Sequence, residues 1–369
     1  MLAVPAVAHD ANSWGGLFRS RDDGQAWLSA DAGLFIGGSL AVAVSPTDAG
    51  HLLYGTDTRL LRSRNGGRNW VTEAPQLFQG PALAVAFSPD EDCAWAATPA
   101  GVFAACGNSG WQRSDAPEDA VPGRALAGGS RPERVYLLGS RGVYASSDRG
   151  RKFHRIGTSD LPDAPGRALL LMPGPAEALF AIFDGRVWAS FDEGSSWAPR
   201  DGGLPLGRME ALASDQERPG RLWAASGNRV HVSDDRGATW QTRGGPISEG
   251  DLTIRGLATA QDGTIIVLST HKGLMRSHDG GNAWAQVEGA LPVHLEAGPL
   301  LRDPHDAQTL YVGFSLVPYV EQRRRAEQGS SLLSRLDPVS IAGAAAFLLL
   351  LFVGGWSGAR RLAYAYRNA

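Results

Sequence analysis

The sequence predicts an all-β fold: a single seven-bladed β-propeller closed end to end by its own strands, followed by one C-terminal transmembrane helix. Three observations carry that expectation. First, an eight-residue unit recurs seven times, closing on an aromatic at positions 27, 70, 111, 153, 197, 240 and 284, a period of 41 to 44 residues. Second, each copy is flanked by strand-like apolar runs, so one repeat makes one small sheet that cannot bury both its faces alone. Third, the first copy has no inner half before it and the last inner half has no copy after it, so the two chain ends complete one blade between them. Closure of that kind leaves no exposed sheet edge.

The unit is cleanest at Ser233-Asp234-Asp235-Arg236-Gly237-Ala238-Thr239-Trp240. Its pattern is Ser, any, Asp, any, Gly, any two, aromatic. The same pattern stands at Ser20/Asp22/Gly24/Trp27, Ser63/Asn65/Gly67/Trp70, Ser146/Asp148/Gly150/Phe153, Ser190/Asp192/Gly194/Trp197 and Ser277/Asp279/Gly281/Trp284, with a degenerate copy at Ala104/Cys106/Asn108/Trp111. Glycine supplies the positive φ a tight reversal needs. The Ser hydroxyl and Asp carboxylate serve turn amides that no ladder satisfies, and the aromatic buries about 150–250 Å² beneath the hairpin. These residues resemble the Asp-box, or BNR repeat, of sialidases, sortilins, xyloglucanases and photosystem II assembly factors. The resemblance implies a structural clip on the outer edge of each blade. Asp22, Asn65, Asp148, Asp192, Asp235 and Asp279 are therefore expected to hold turns rather than to catalyse.

Taken in order, residues 1–13 begin Met-Leu-Ala-Val-Pro-Ala-Val-Ala, and Ala6-Val7-Ala8 has the form of a signal-peptidase site. Too few residues precede it for a charged region and an apolar core, so a truncated signal-peptide remnant is expected. The propeller is placed at 14–314. Its inner strands start at Leu40, Leu83, Leu126, Leu169, Leu212 and Leu257, with the seventh at Gly298–Arg302 followed by Thr309–Gly313. Runs apolar on both faces, such as Leu40–Val44, suit strands sandwiched between neighbours.

The two cysteines, Cys93 and Cys106, fall on successive predicted strands joined by a turn at Pro99-Ala100. A two-residue turn there sets them opposite each other, within disulfide reach. Because Cys106 falls where the other copies carry Asp, a disulfide is expected to staple the blade that lacks its polar clip. Two buried thiols are the alternative.

Residues 315–337 read as a charged juxtamembrane linker. Residues 338–359 carry no charge over 22 positions, enough for about 33 Å of helix against a hydrocarbon core of roughly 30 Å. A single span is expected there, with a buried globular helix as the alternative, and 360–369 form a short basic tail. Arg323, Arg324, Arg325 and Arg335 precede the span while Arg360, Arg361 and Arg367 follow it, so the positive-inside rule decides nothing. The Ala-x-Ala remnant and the cysteines favour an extracytoplasmic propeller; a tail-anchored protein facing the cytoplasm, its triple Arg near anionic lipid, is the alternative.

A net charge of −3 gives no footing for nucleic acid. No metal-ligand spacing, nucleophile elbow or phosphate loop occurs, so no metal and no cofactor is expected. Chemistry is left to the channel. Two residues before each inner-strand Leu stand Gly38, Pro81, Arg124, Arg167, Glu210 and Arg255, with Glu296 at the comparable place in the last blade. Arg124, Arg167, Glu210, Arg255 and Glu296 are thus expected to ring one mouth of the channel. They can hold a carboxylate ligand or a partner's acidic segment, or simply pair with one another.

Over residues 14–314 the chain resembles the single-ring photosystem II stability and assembly factors. That family implies an extracytoplasmic chaperone binding a membrane protein's segment through an arginine-lined face. The span departs from the soluble or lipid-anchored form of that family, so a general binding or assembly scaffold with a protein partner is expected rather than a photosynthetic role. The alternative is a sialidase-like glycosidase clamping an acidic glycan with Arg124, Arg167 and Arg255. Against it, sialidases resemble six-bladed rings with an Arg-Ile-Pro near the start, and the one Arg-Ile here, Arg155-Ile156, lies mid-chain. Xyloglucanases resemble paired rings, and this chain has one.

Overall fold

The computed structural model describes residues 15–157, 159–172, 177–292 and 294–316, together with 321, 323 and 324. Seven four-stranded antiparallel sheets follow one another around a ring. Blade 1 runs from Ser39–Val44 to Val71–Thr72, blade 2 from Ala84–Phe87 to Gln112–Arg113, and blade 3 from Ala125–Gly128 to His154–Ile156. Blades 4, 5 and 6 open with Ala168–Met172, Ala211–Ser214 and Ile254–Ala260. In blade 7, Glu296–Arg302 and Leu310–Ser315 are completed by Gly16–Ser20 and Leu28–Ser29 from the other end of the chain. The first strand of each blade is innermost and lies beside the first strand of the next, Glu296–Arg302 meeting Ser39–Val44 to close the circle.

Closure rests on an unbroken register from Gly16 opposite Phe314 to Ser20 opposite Leu310. Phe18 and Phe314 meet edge to face with centroids 5.4 Å apart, and Val312 and Phe314 are wholly buried. Across the seam, the Ser39 amide donates to Ser315 Oγ at 3.0 Å. The second strands are the buried layer: Tyr54, Trp95, Tyr136, Phe180, Trp223 and Val312 expose at most 1 % of their surface. The sequence puts the sandwiched layer at innermost strands such as Leu40–Val44, but Ala41, Val42 and Ala43 are only partly buried there, because the channel lies on their inner side. The second strands have a neighbouring blade on each face.

All six intact boxes share one geometry. The Ser hydroxyl donates to the Asp or Asn side-chain oxygen at 2.7–3.1 Å and accepts the Gly N–H at 2.8–2.9 Å. The same side-chain oxygen accepts an amide four residues on at 2.8–2.9 Å. All of these bonds favour the ionised Asp. At Asp235, bonds from the Thr239 hydroxyl and amide lead, and its carboxyl falls to about 2. Amides of the turn, Ala283 first, likewise lower Asp279. At Asp22, Asp148 and Asp192 slight burial pushes upward and is outweighed by the turn's hydrogen bonds.

These carboxyls therefore contribute stability that is complete above the unfolded value of 3.8 and is lost as pH falls through the lower folded values. The urea midpoint is expected to drop on acidification from about pH 5 to about pH 3, and Asp235→Asn to flatten part of that drop. The box of blade 1, with Asn65 in place of Asp, carries no carboxyl and is an internal control.

Blade 2 departs from the pattern. Cys93 and Cys106 face each other in the register and are joined by a disulfide, their Cα atoms 4.1 Å apart. The sequence alignment of its box slips by one residue, however. Trp111 follows a strand in which Ala104 pairs with Gln112, which sets Ala105 rather than Ala104 in the serine column. The turn is one residue shorter than the others, and a fixed count back from the aromatic misses that. Cys106 accordingly stands one step past the serine column and not at the Asp position. In blade 5 the same cross-strand pair is the Arg221–Asp234 ion pair, 2.6 Å.

Among the described residues no helix is long and apolar enough to cross a membrane. The segments 1–13 and 338–359, where a signal remnant and a span are expected, lie outside the described residues, as do 360–369 and nearly all of 315–337.

Candidate functional site at the channel mouth

The innermost strands all start at one end of the channel, so the residues leading into them form its rim. Arg124, Arg167 and Glu210 each donate a backbone N–H to the second strand of their own blade, at Leu138, Ile182 and Ala225. These three are equivalent positions. The other two are not, because three of the inner strands carry bulges.

In blade 6 the pairing steps from Ile254 opposite Thr270 to Gly256 opposite Ser269, which leaves Arg255 as the extra residue. In blade 7 Glu296 pairs with Ser315 one step outside the column, and the register shifts between Ala297 and Leu300. Blade 1 shifts between Ser39 and Ala41. In blade 2 the equivalent residue is Leu83, whose N–H bonds to Ala97, rather than Pro81. A constant offset from the strand leucine ignores the inserted residue. The signal was present all the same, in the strand-interior Gly256 and in Gly298-Pro299.

Arg167, Glu210, Arg255 and Glu296 are joined in pairs across blade boundaries. Arg167 pairs with Glu210 at 3.3 Å and Arg255 with Glu296 at 2.6 Å. Glu210 also accepts the Ile254 amide at 3.0 Å, so it links blades 4, 5 and 6. Arg255 adds a bond to the Ala297 carbonyl at 3.3 Å. Its side chain is only 5 % exposed, whereas that of Arg167 is 47 % exposed. The rim thus combines stitching, in Glu210, Arg255 and Glu296, with a guanidinium presented to solvent at Arg167. Arg124 stands on the neighbouring blade, and its carbonyl accepts a bond from Arg323. Nothing in the sequence pointed to Arg323 as a neighbour of the rim, since that contact crosses from the linker to a blade 199 residues earlier.

The comparisons with known proteins bear on this architecture. YCF48 bound to D1 peptide is similar over 85 % of this chain and 100 % of that one, with a TM-score of 0.58 and 15 % identity. YCF48 from Cyanidioschyzon merolae covers 75 % and 95 %, with a TM-score of 0.55 and 15 % identity. The likeness is one of fold. The GH74 xyloglucanase from Xanthomonas campestris gives a TM-score of 0.60 at 19 % identity, and this chain spans about half of it, 52 %. No family model matches the sequence, and no curated protein does. The chain is therefore a seven-bladed ring built like the YCF48 and GH74 propellers, with Asp-boxes at the turns where the sequence put them.

The boxes and the rim occupy opposite ends of the blades. The box serine pairs with the first residue of the second strand, as Ser63 does with Leu52, and that end is where the inner strand finishes. Among the described residues, no group of three His, Cys, Asp or Glu is placed to hold a metal ion.

Proposed function

We propose that the protein is a non-catalytic binding or assembly propeller that recognises a segment of a membrane-protein partner at its charged rim. The observation that carries this reading is the contact from Arg323 to Arg124, which brings the linker to the mouth of the channel.

A second observation supports the same face. Of the five exposed large apolar side chains among the described residues, Phe35, Leu77 and Leu206 lie in loops leading into innermost strands, and Leu28 and Val71 on outermost strands. Apolar groups on the face that also carries half-exposed Arg167 suit a peptide with both carboxylates and apolar side chains. YCF48, of the same fold, has been seen with a D1 peptide. In this reading 315–337 is the juxtamembrane linker, 338–359 the span, 360–369 a basic cytoplasmic tail, and the propeller extracytoplasmic. The glycosidase alternative has less support, because Glu210 and Glu296 are each held by an arginine and a retaining pair stands about 5–5.5 Å apart.

Purification from detergent-solubilised membranes tests the proposal. Arg124→Ala/Arg167→Ala is expected to lower recovery of a co-purifying membrane protein about tenfold, while Asp235→Ala leaves recovery unchanged. Full recovery with the rim variant would refute it.

A further inference from the structure

The degenerate box opens a cleft between blades 1 and 2, on the face opposite the rim. In six blades the residue opposite the box serine is large: Leu52, Val135, Leu179, Leu222, Ile266 and Leu310. Blade 2 has Ala94 opposite Ala105, two methyl groups where the others set a branched side chain against a hydrogen-bonded turn. These two alanines line a cleft of about 670 Å³, within the roughly 300–1,000 Å³ of small-molecule sites.

Trp111 is redirected by the same change. The five other box tryptophans donate their indole N–H to the glycine carbonyl of their own box. Trp111 instead donates to Glu73 of blade 1 at 2.7 Å. Phe78 meets it edge to face at 5.1 Å and fixes its plane. Glu73 is held by Arg62 at 2.9 and 3.0 Å. Arg62 in turn donates to His51 Nε2 at 2.6 Å, and His51 Nδ1 bonds to Glu91 back on blade 2. Burial holds the His51 imidazole below its usual pKa, in keeping with a neutral ring that donates through Nδ1 and accepts at Nε2.

The wall is therefore polar and continuous, and Arg62, Arg64 and Arg149 leave one of the four carboxylates Glu73, Asp90, Glu91 and Asp92 without a balancing cation. An anionic ligand gains little from it. The wall matches a ligand that offers donors and acceptors in alternation together with an apolar face for the indole. A pyranose has both, its weakly positive C–H face meeting the negative face of the ring. We propose that this cleft binds a neutral saccharide, stacked on Trp111 with its hydroxyls on the Arg62–Glu73 and His51–Glu91 pairs. The site is independent of the rim.

Calorimetric titration of the full chain with cellotetraose, maltotetraose, laminaritetraose and chitotetraose tests this. At least one is expected to bind saturably. Trp111→Ala is expected to weaken that binding about thirtyfold, the loss typical of a central aromatic anchor. Ala105→Leu, which narrows the cleft and whose fold is checked by its melting curve, is expected to weaken it comparably, and Gln241→Ala on the outermost strand of blade 5 to leave it unchanged. The proposal is overturned if none of the four binds at millimolar concentration. It is equally overturned if both cleft variants bind as the parent does, or if polylysine or polyglutamate binds at Trp111 in the sugars' place.

Discussion

Replacing Phe314 by alanine is expected to cost about 3–5 kcal/mol of unfolding free energy, the usual loss for a buried phenylalanine. The side chain is wholly buried and packs edge to face on Phe18, and its backbone pairs with Gly16 on one side and Ala297 on the other. It therefore sits in the strand that joins the two chain ends. Against a typical domain stability of about 5–15 kcal/mol the loss is large. It also has a local signature that a core mutation elsewhere lacks. Amides of Gly16–Ser20 should exchange with solvent well before those of blade 4, because opening the seam frees that strand without unfolding the rest. Phe180→Ala in blade 4, with a similarly buried ring, provides the contrast. Denaturant midpoints read the first effect and hydrogen exchange the second. A Phe314→Ala protein whose first strand stays as protected as blade 4 would mean that the ring is not held shut there.

Reduction of the Cys93–Cys106 disulfide is the second large effect. The cysteines are 13 residues apart, and cross-linking a loop of that size restricts the unfolded chain by about 3 kcal/mol. In blade 2 the outer turn after Ala105 has no box clip to share the work, so the urea midpoint is expected to fall on adding a reductant. Cys93→Ala/Cys106→Ala should show the same midpoint with and without reductant. Mass spectrometry of the unreduced protein gives the direct check: both thiols resist alkylation until reduced. Alkylation of both beforehand would remove the disulfide from the account.

What the sequence disclosed follows from which residues have a local reason to be where they are. The boxes were legible because Ser, Asp and Gly act within one turn, and each hydrogen bond spans four residues or fewer. Closure was legible because the half-repeats at the two ends are complementary. The rim was only partly legible. Arg124, Arg167 and Glu210 share a column because their strands are regular, but Arg255 and Glu296 reach the mouth through bulges that a fixed offset passes over. The pairing of Arg167 with Glu210 joins residues 43 apart, and only the curvature of the ring brings them together. The cleft at Trp111 was hidden for a further reason. A shortened box reads as a poor copy of its neighbours, whereas its consequence, an indole turned toward Glu73, appears only once blade 1 is in place.

The most direct measurement of the central claim is site-specific photo-crosslinking in intact membranes, with the reactive residue at position 124 or 206 on the rim face and at Gln241 on an outermost strand as control. The account expects both rim-face positions to capture one and the same membrane-embedded species, and the control to leave it unlabelled. Equal capture from all three positions, or none from either rim position, would contradict it.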